Sequence, residues 1–497
     1  MSTTTAAAAA PPERVQTLIL DVPNASPADE ILDDDDATST SGFARDRELA
    51  RARETRDCFK TPEGRYNLGK TWTTKSASFV MSRGSGYGST RVAGYDSRNR
   101  RRIETGRTRS GWKHVTFNAG DGAHVAEYNA STECKPIGKI GFNGVAVTAL
   151  SVRDGRTDRY DFLVGLANGE VVAMDLEKNV AEKTKKAVAC SRWNADGAGV
   201  CKSRVTALRW VPRESQAMGF DCISAHADGS LYVYDSASDG PSAKIEPLLD
   251  RSALSVANAG DPSSNPRARW HFGESSLNAA EFSPDGDHLA VVNGAGMCRV
   301  LFVGAAKPTV MSGFKSYYGG FNAVAWTPCG RYIIAGGESD MVEIWGFYER
   351  EVLAWGCGGH RSWITDIFVD ERLMRDRSNF LRFASVGEDC RVALWDLILP
   401  DDEEEAPAIE EQAARLSISS TRHGRRASFA GPDAQVACSA RRDEVQRIVP
   451  IMTHKLHTQP VTAVRFTDEG VLTATADSIK LWLRPTTSSR YAHCPQP

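Results

Sequence analysis

His360, Ser385 and Asp389 are the three residue types of a serine hydrolase triad, and they fall in one short stretch of the chain. In such an enzyme the serine stands on an exposed elbow beside an oxyanion hole, and neither has a trace in this sequence. The same residues followed by Trp395-Asp396 suit a different task, a buried hydrogen-bond chain through His360, Ser385, Asp389 and Trp395 that locks neighbouring strands, since buried polar groups must find partners. These four are therefore read as a structural tetrad, with no catalytic residue assigned. The glycines of Arg83-Gly84-Ser85-Gly86-Tyr87-Gly88 resemble a phosphate loop but are not followed by Lys-Ser/Thr or framed by a strand and a helix, so they read as a linker. The basic stretch from Arg98 to Arg109 lacks the interleaved aromatics of a nucleic-acid site and reads as a solvated loop. Arg425-Arg426-Ala427-Ser428 matches a basophilic kinase site, making Ser428 a candidate phosphosite. The eleven cysteines form no C-x-x-C pair, so no zinc ribbon or redox motif is assigned, and their odd number points to reduced thiols inside the cell.

The elements that must position the tetrad repeat along the chain. From about residue 112 a unit recurs: a short apolar strand, a turn, a second strand ending in small residues, a polar turn and a third strand closing on an aromatic or apolar residue. Seven such units follow one another, beginning near Trp112, Val145, Ser203, Ser276, Phe321, Gly359 and Gln459. A polar turn residue stands six positions before the closing residue in Asn168–Met174, Asp228–Tyr234 and Asp389–Trp395, whereas Ala295–Leu301 keeps the spacing without the polar group. A sandwich also has many short strands but does not explain one motif at one period. The expected fold is all-β, a seven-bladed WD-repeat β-propeller. The last unit supplies only three strands, so residues within about 58–81 are expected to add the fourth and close the ring.

Around the repeats the composition shifts. Residues 1–55 are Ala- and Thr-rich with the acidic run Asp33 to Asp36 and read as a disordered extension. Residues 56–397 form the first part of the propeller, with a Gly/Arg-rich loop at 82–111. Residues 398–452 run from acidic to basic and read as a flexible insert before a last blade at 453–485, with a tail at 486–497. A net charge of −3 gives no general pull toward nucleic acid or an anionic membrane, and no apolar run approaches membrane-spanning length. No cofactor, metal or small-molecule substrate is expected, and residence is expected to be intracellular, cytoplasmic with the nucleus left open.

That leaves a protein partner. The loop entering the fifth unit carries Phe314, Lys315, Tyr317, Tyr318 and Phe321, and the loop entering the fourth carries Trp270 and Phe272. Aromatic side chains bury much area at little entropic cost, so these, with Trp363 and the flanking Lys315 and Arg361, are the expected partner-binding surface. Packing of some of them between blades is the competing reading.

The segments Leu231-Tyr232-Val233-Tyr234-Asp235, Lys315 to Gly320, Ala325 to Trp345, Gly359 to Ile364 and Phe383 to Leu397, with Phe59 to Tyr66 near the start, are similar to the family of WD repeat-containing protein 20, the dystrophia myotonica WD-repeat protein and the fungal catabolite repression protein creC. The resemblance spans roughly residues 58–68 and 130–485. It implies a non-enzymatic scaffold that binds and activates a ubiquitin-specific protease. A generic propeller adaptor, such as a ubiquitin-ligase substrate receptor or signalling scaffold, is the alternative. Ala280 departs from the family pattern, in which a large aromatic is common.

Overall fold

Strand Phe380–Gly387 is buried at every position, and so are Phe162–Leu166, Phe321–Trp326 and Tyr332–Gly337. A strand apolar in both parities must have packed layers on both faces. Seven sheets, antiparallel but for two short edge strands, meet that demand by standing face to face in a ring. The computed structural model describes residues 56–73, 100–108, 110–128, 136–153, 159–182, 187–188, 190–195, 200–212, 219–238, 245, 254–273, 275–305, 307–376, 380–399, 436–437 and 441–485. The glycine run at 83–88 and Ser428 lie outside them.

The first strands of the seven blades are Ile103–Arg107, Val147–Val152, Val205–Trp210, Leu277–Phe282, Phe321–Trp326, Ile364–Val369 and Ala463–Phe466. Residues of these strands, with Arg102 just before the first, line a central cavity of about 430 Å³. The expected solvated loop at Arg98–Arg109 is thus corrected in part. Ile103–Arg107 is the inner strand of blade 1, Arg101 is buried, and burial pushes the Arg102 guanidinium down to about 10. The signal was hidden because this strand has only one fully buried apolar side chain, Ile103.

The polar turn residues cap the hairpin between the second and third strands. Asn168, Asp228 and Asp389 each accept from the backbone amide two residues on, at 3.1, 3.0 and 3.0 Å. The next residue turns left-handed, as Gly169 and Gly229 (φ +90° and +83°) and, without that freedom, Cys390 (φ +65°). Blade 4 loses the cap at Ala295, and Asn293 replaces it, accepting from the amides of Ala295 and Met297 at 3.1 and 2.9 Å.

Blade 7 is completed from the other end of the chain. Gly64–Thr73 pairs antiparallel with Ser478–Leu483, and Cys58–Thr61 folds back on it as a hairpin. Phe59 stacks on Tyr66 at 4.8 Å and leans on Trp482 at 5.6 Å in the apolar layer between blades 6 and 7. Beside it Arg382 forks onto both oxygens of Asp396 at 2.6 Å and pairs with Glu63, which accepts from Tyr66 Oη at 2.9 Å. Arg484 forks onto Asp370 at 2.7 and 2.8 Å and reaches Tyr66 Oη at 3.4 Å.

The charged insert is placed differently from expectation. Arg391–Ile398 is the third strand of blade 6 and Met452–Lys455 its fourth, so the insert lies within blade 6 rather than ahead of blade 7. The described residues at its end pair with other blades. Val436–Ala437 runs parallel to Gly313–Phe314 on blade 4, and Gln446–Ile448 parallel to Ala354–Gly356 on blade 5.

A chain lacking residues 1–73 should melt at a lower temperature and over a broader range than the full chain in calorimetry, because blade 7 then presents an open edge. Identical transitions would refute the closure.

Candidate partner-binding surface

The tetrad of blade 6 forms as an unbroken chain. Trp395 Nε1 donates to Ser385 Oγ at 2.9 Å, Ser385 Oγ meets His360 Nε2 at 2.8 Å, and His360 Nδ1 meets Asp389 at 3.2 Å. With the proton on Nδ1 every group is satisfied. Burial pushes the Asp389 carboxyl up, but His360 and the amides of Arg361 and Arg391 outweigh it and hold the group below its ordinary range. Ser385 is fully buried and its oxygen already accepts from Trp395, so it is part of the lock.

Other blades vary the lock. In blade 7 His457 Nε2 meets Thr473 Oγ1 at 2.7 Å and Trp482 Nε1 donates to the same oxygen at 2.9 Å. In blade 3 Cys201 stands four residues before Val205, as His360 does before Ile364, and its Sγ lies 3.5 Å from Asp228. There Ser224 is held by His226 from within its own strand, at 2.8 Å, and by Tyr234 at 3.1 Å. Blade 5 has no chain of this type. Tyr317 takes the histidine position and Ala335 the serine position, leaving Trp345 Nε1 and Tyr317 Oη buried without a partner among the described residues. Glu343, two residues before Trp345, is fully buried, accepts from the Tyr317 amide at 3.2 Å and the Ser316 hydroxyl at 3.3 Å, and keeps its second oxygen unpartnered among the described residues. Burial pushes its carboxyl up to about 7, against the pull of those two donors. The sequence signal of this site is a lone glutamate in the apolar run Met341-Val342-Glu343-Ile344-Trp345.

The expected surface divides. Trp270 and Phe272 are 3% and 4% exposed in the apolar layer between blades 3 and 4. Phe321 is wholly buried between blades 4 and 5, with Phe314 5.5 Å away. These three are corrected to core residues: Trp270 lies within strand Ala268–His271, Phe272 just after it and Phe321 at the start of Phe321–Trp326, and each side chain packs into the layer shared with a neighbouring blade. Tyr318 is 56% exposed, Lys315 and Arg361 are exposed, and Tyr317 and Trp363 are half-buried. Tyr318 and Arg361 take equivalent places in the loops entering blades 5 and 6, one residue after Tyr317 and His360. The sequence reading missed Trp355 and Arg442, which join Tyr318 across the insert: Arg442 Nη2 donates to Tyr318 Oη at 3.3 Å, and Trp355 Nε1 donates to the Arg442 carbonyl at 3.1 Å. On the axis, ion pairs tie neighbouring blades: Arg209 to Glu281 at 2.6 Å, and Arg465 to Asp366 and Glu104 at 2.7 and 3.0 Å.

Two substitutions test the locks. Trp395→Ala should cost roughly 3–5 kcal/mol in denaturant unfolding and His360→Ala about 1–3 kcal/mol. Glu343→Gln should have the opposite sign. A carboxyl raised from 4.5 to about 7 keeps its proton in the folded state while the unfolded chain releases it, so stability falls as pH rises from 4.5 to 7 and the full penalty stands above 7. The variant should therefore gain up to about 3 kcal/mol over the natural chain at pH 8 and little at pH 4.5, read from unfolding curves at the two values.

Residues 309–346 match the WD domain, G-beta repeat family, a span that runs from the outer strand of blade 4 through the third strand of blade 5. Among curated proteins, UBP9-binding protein bun62 of Schizosaccharomyces pombe (strain 972 / ATCC 24843) is 28% identical over 325 residues, which is 59% of this chain. The match spans 58% of that protein's own length. Among solved structures, a chain of the mitotic checkpoint complex is similar over 84% of this chain and 95% of its own, at 12% identity and a TM-score of 0.49. The seven sheets make this chain a seven-bladed β-propeller, and its residues 309–346 match a WD repeat.

Proposed function

We propose that this propeller is a non-enzymatic scaffold that binds a ubiquitin-specific protease and activates it. The observation that carries the reading is the similarity over 325 residues to a yeast protein named for binding UBP9. It agrees with the resemblance of Phe59 to Tyr66, Lys315 to Gly320 and Phe383 to Leu397 to a family of protease-activating scaffolds. The fold suits the task. A closed ring has no free sheet edge in its core and presents its loops side by side on rigid blades, which lowers the ordering cost of binding.

The contact surface in this reading is the exposed part of the loops entering blades 5 and 6: Tyr317, Tyr318 and Trp363, flanked by Lys315 and Arg361. The aromatic rings supply buried area, and the two cations steer an acidic partner. Activation is allosteric, the propeller favouring a competent protease conformation that is poorly populated alone. Phosphorylation at Ser428 adds close to two negative charges beside Arg425 and Arg426 and tunes the insert.

Affinity capture of the full chain should return a deubiquitinase and not a cullin-type ligase. Trp363→Ala should weaken that capture by about 1–3 kcal/mol in a titration while the melting temperature holds. Recovery of ligase components alone would turn the reading to the adaptor alternative.

A further inference from the structure

The insert returns to blade 6 by way of two other blades. It touches the outer edge of blade 4 at Val436–Ala437, then that of blade 5 at Gln446–Ile448, and only then forms Met452–Lys455. Blades 4 and 5 each have four strands of their own without it. On blade 5 the pairing is parallel and main-chain, Ala354 to Gln446, Trp355 to Arg447 and Gly356 to Ile448, with Cys357 N donating to Ile448 O at 3.2 Å. Two apolar side chains seat the segment: Ile448 is 1% exposed in the layer between blades 5 and 6, and Val445 packs on the layer between blades 4 and 5.

Two arginines then lie against the rings of Tyr318 and Trp355. The Arg442 guanidinium lies 5.2 Å from the Tyr318 ring centroid and 5.3 Å from that of Trp355, besides its hydrogen bond to Tyr318 Oη. Arg447 lies 6.0 Å from the Trp355 ring, with Nε on Cys357 Sγ at 2.9 Å. Both arginines are exposed residues.

We propose that the outer edge of blade 5, walled by Tyr318 and Trp355, is a binding site for an arginine-bearing peptide segment that passes from a turn into a short edge strand, and that residues 442–448 are its occupant in cis, which such a segment on a partner protein displaces. The partner chemistry follows from the occupant. An arginine stacks on the two rings, an apolar residue sits three positions later, a second arginine two after that and an apolar anchor next, the spacing of Arg442, Val445, Arg447 and Ile448. Exchange is built in. Main-chain pairing at a sheet edge accepts any strand of that pattern. Cation–π contacts at exposed sites are individually weak, and the cis segment holds its place through the effective concentration its covalent link provides. The site goes beyond the protease reading, and its probe is the chain's own sequence, so failure to capture a protease leaves the test intact.

The probe is a labelled peptide of residues 436–450, titrated by anisotropy against the full chain. It should bind the double variant Arg442→Ala, Arg447→Ala at least ten-fold more tightly than the natural chain, because the cis competitor is weakened. Adding Tyr318→Ala and Trp355→Ala should remove that gain. Equal binding to the natural chain and the double variant, or binding that survives loss of both rings, overturns the proposal. A second arm needs no substitution: an excess of the peptide, made in heavy isotope, should speed hydrogen exchange at the chain's own Gln446–Ile448 amides. Unchanged exchange at saturating peptide overturns it equally.

Discussion

A ring of sheets stands or falls with its last seam. Six blades are built almost wholly from consecutive chain, but blade 7 needs Gly64–Thr73 from the opposite end. An unclosed blade would leave a row of free amides and carbonyls and an uncovered apolar layer. The seam is held in three ways at once: a strand ladder, the Phe59–Tyr66–Trp482 packing, and the Glu63–Arg382–Asp396 group. Arg382 is buried and its charge is met on two sides, by a carboxylate from its own blade and one from the N-terminal hairpin. Removing either carboxylate leaves a buried charge short of a partner, which is why such groups enforce register even where their net stabilisation is modest.

Once closed, the ring divides its residues by radius. Near the axis, charged pairs link neighbouring first strands and replace the side-chain packing that an open channel cannot supply. Further out, apolar layers fill the spaces between blades, and the hydrogen-bond locks sit where loops meet strands. The locks are unequal. Blade 6 has a complete one, blades 3 and 7 have substitutes, and blade 5 carries a buried carboxylate in place of such a chain. Blade 5 is also where the exposed aromatics gather and where the insert docks. A blade with less internal locking and more external covering is the natural place for exchangeable contacts, since binding surfaces are drawn from the less stable parts of a fold.

Much of the architecture was legible without coordinates because a propeller is written in local, periodic terms. A strand buried on both faces is apolar in both parities, and a hairpin turn wants Asn, Asp or Gly at a fixed offset. Asn168, Asp228 and Asp389 announced both their turns and their blades, and His360, Ser385, Asp389 and Trp395 announced their bond chain by spacing alone. Ile103–Arg107 escaped because a first strand beside a polar channel has lost that apolar signature.

What local pattern could not decide was which aromatic faces water. Trp270, Phe272, Phe321 and Tyr318 look alike in sequence, each beside a turn and each amid other aromatics. Three are swallowed by the neighbouring blade and one is left outside, because burial depends on how adjacent sheets are rotated and not on the residue's own strand. The same holds for the insert. Its charge marked it as separate from the repeat, but its path over blades 4 and 5, and the meeting of Arg442 with Tyr318 and Trp355, join residues about a hundred positions apart. The sequence by itself determined the number of blades, their turns and one complete lock, all matters of spacing within a few residues. The tertiary structure alone decided the seam partners, the exposed rings and the covered edge, because each is a contact between surfaces that exist only after the ring has closed.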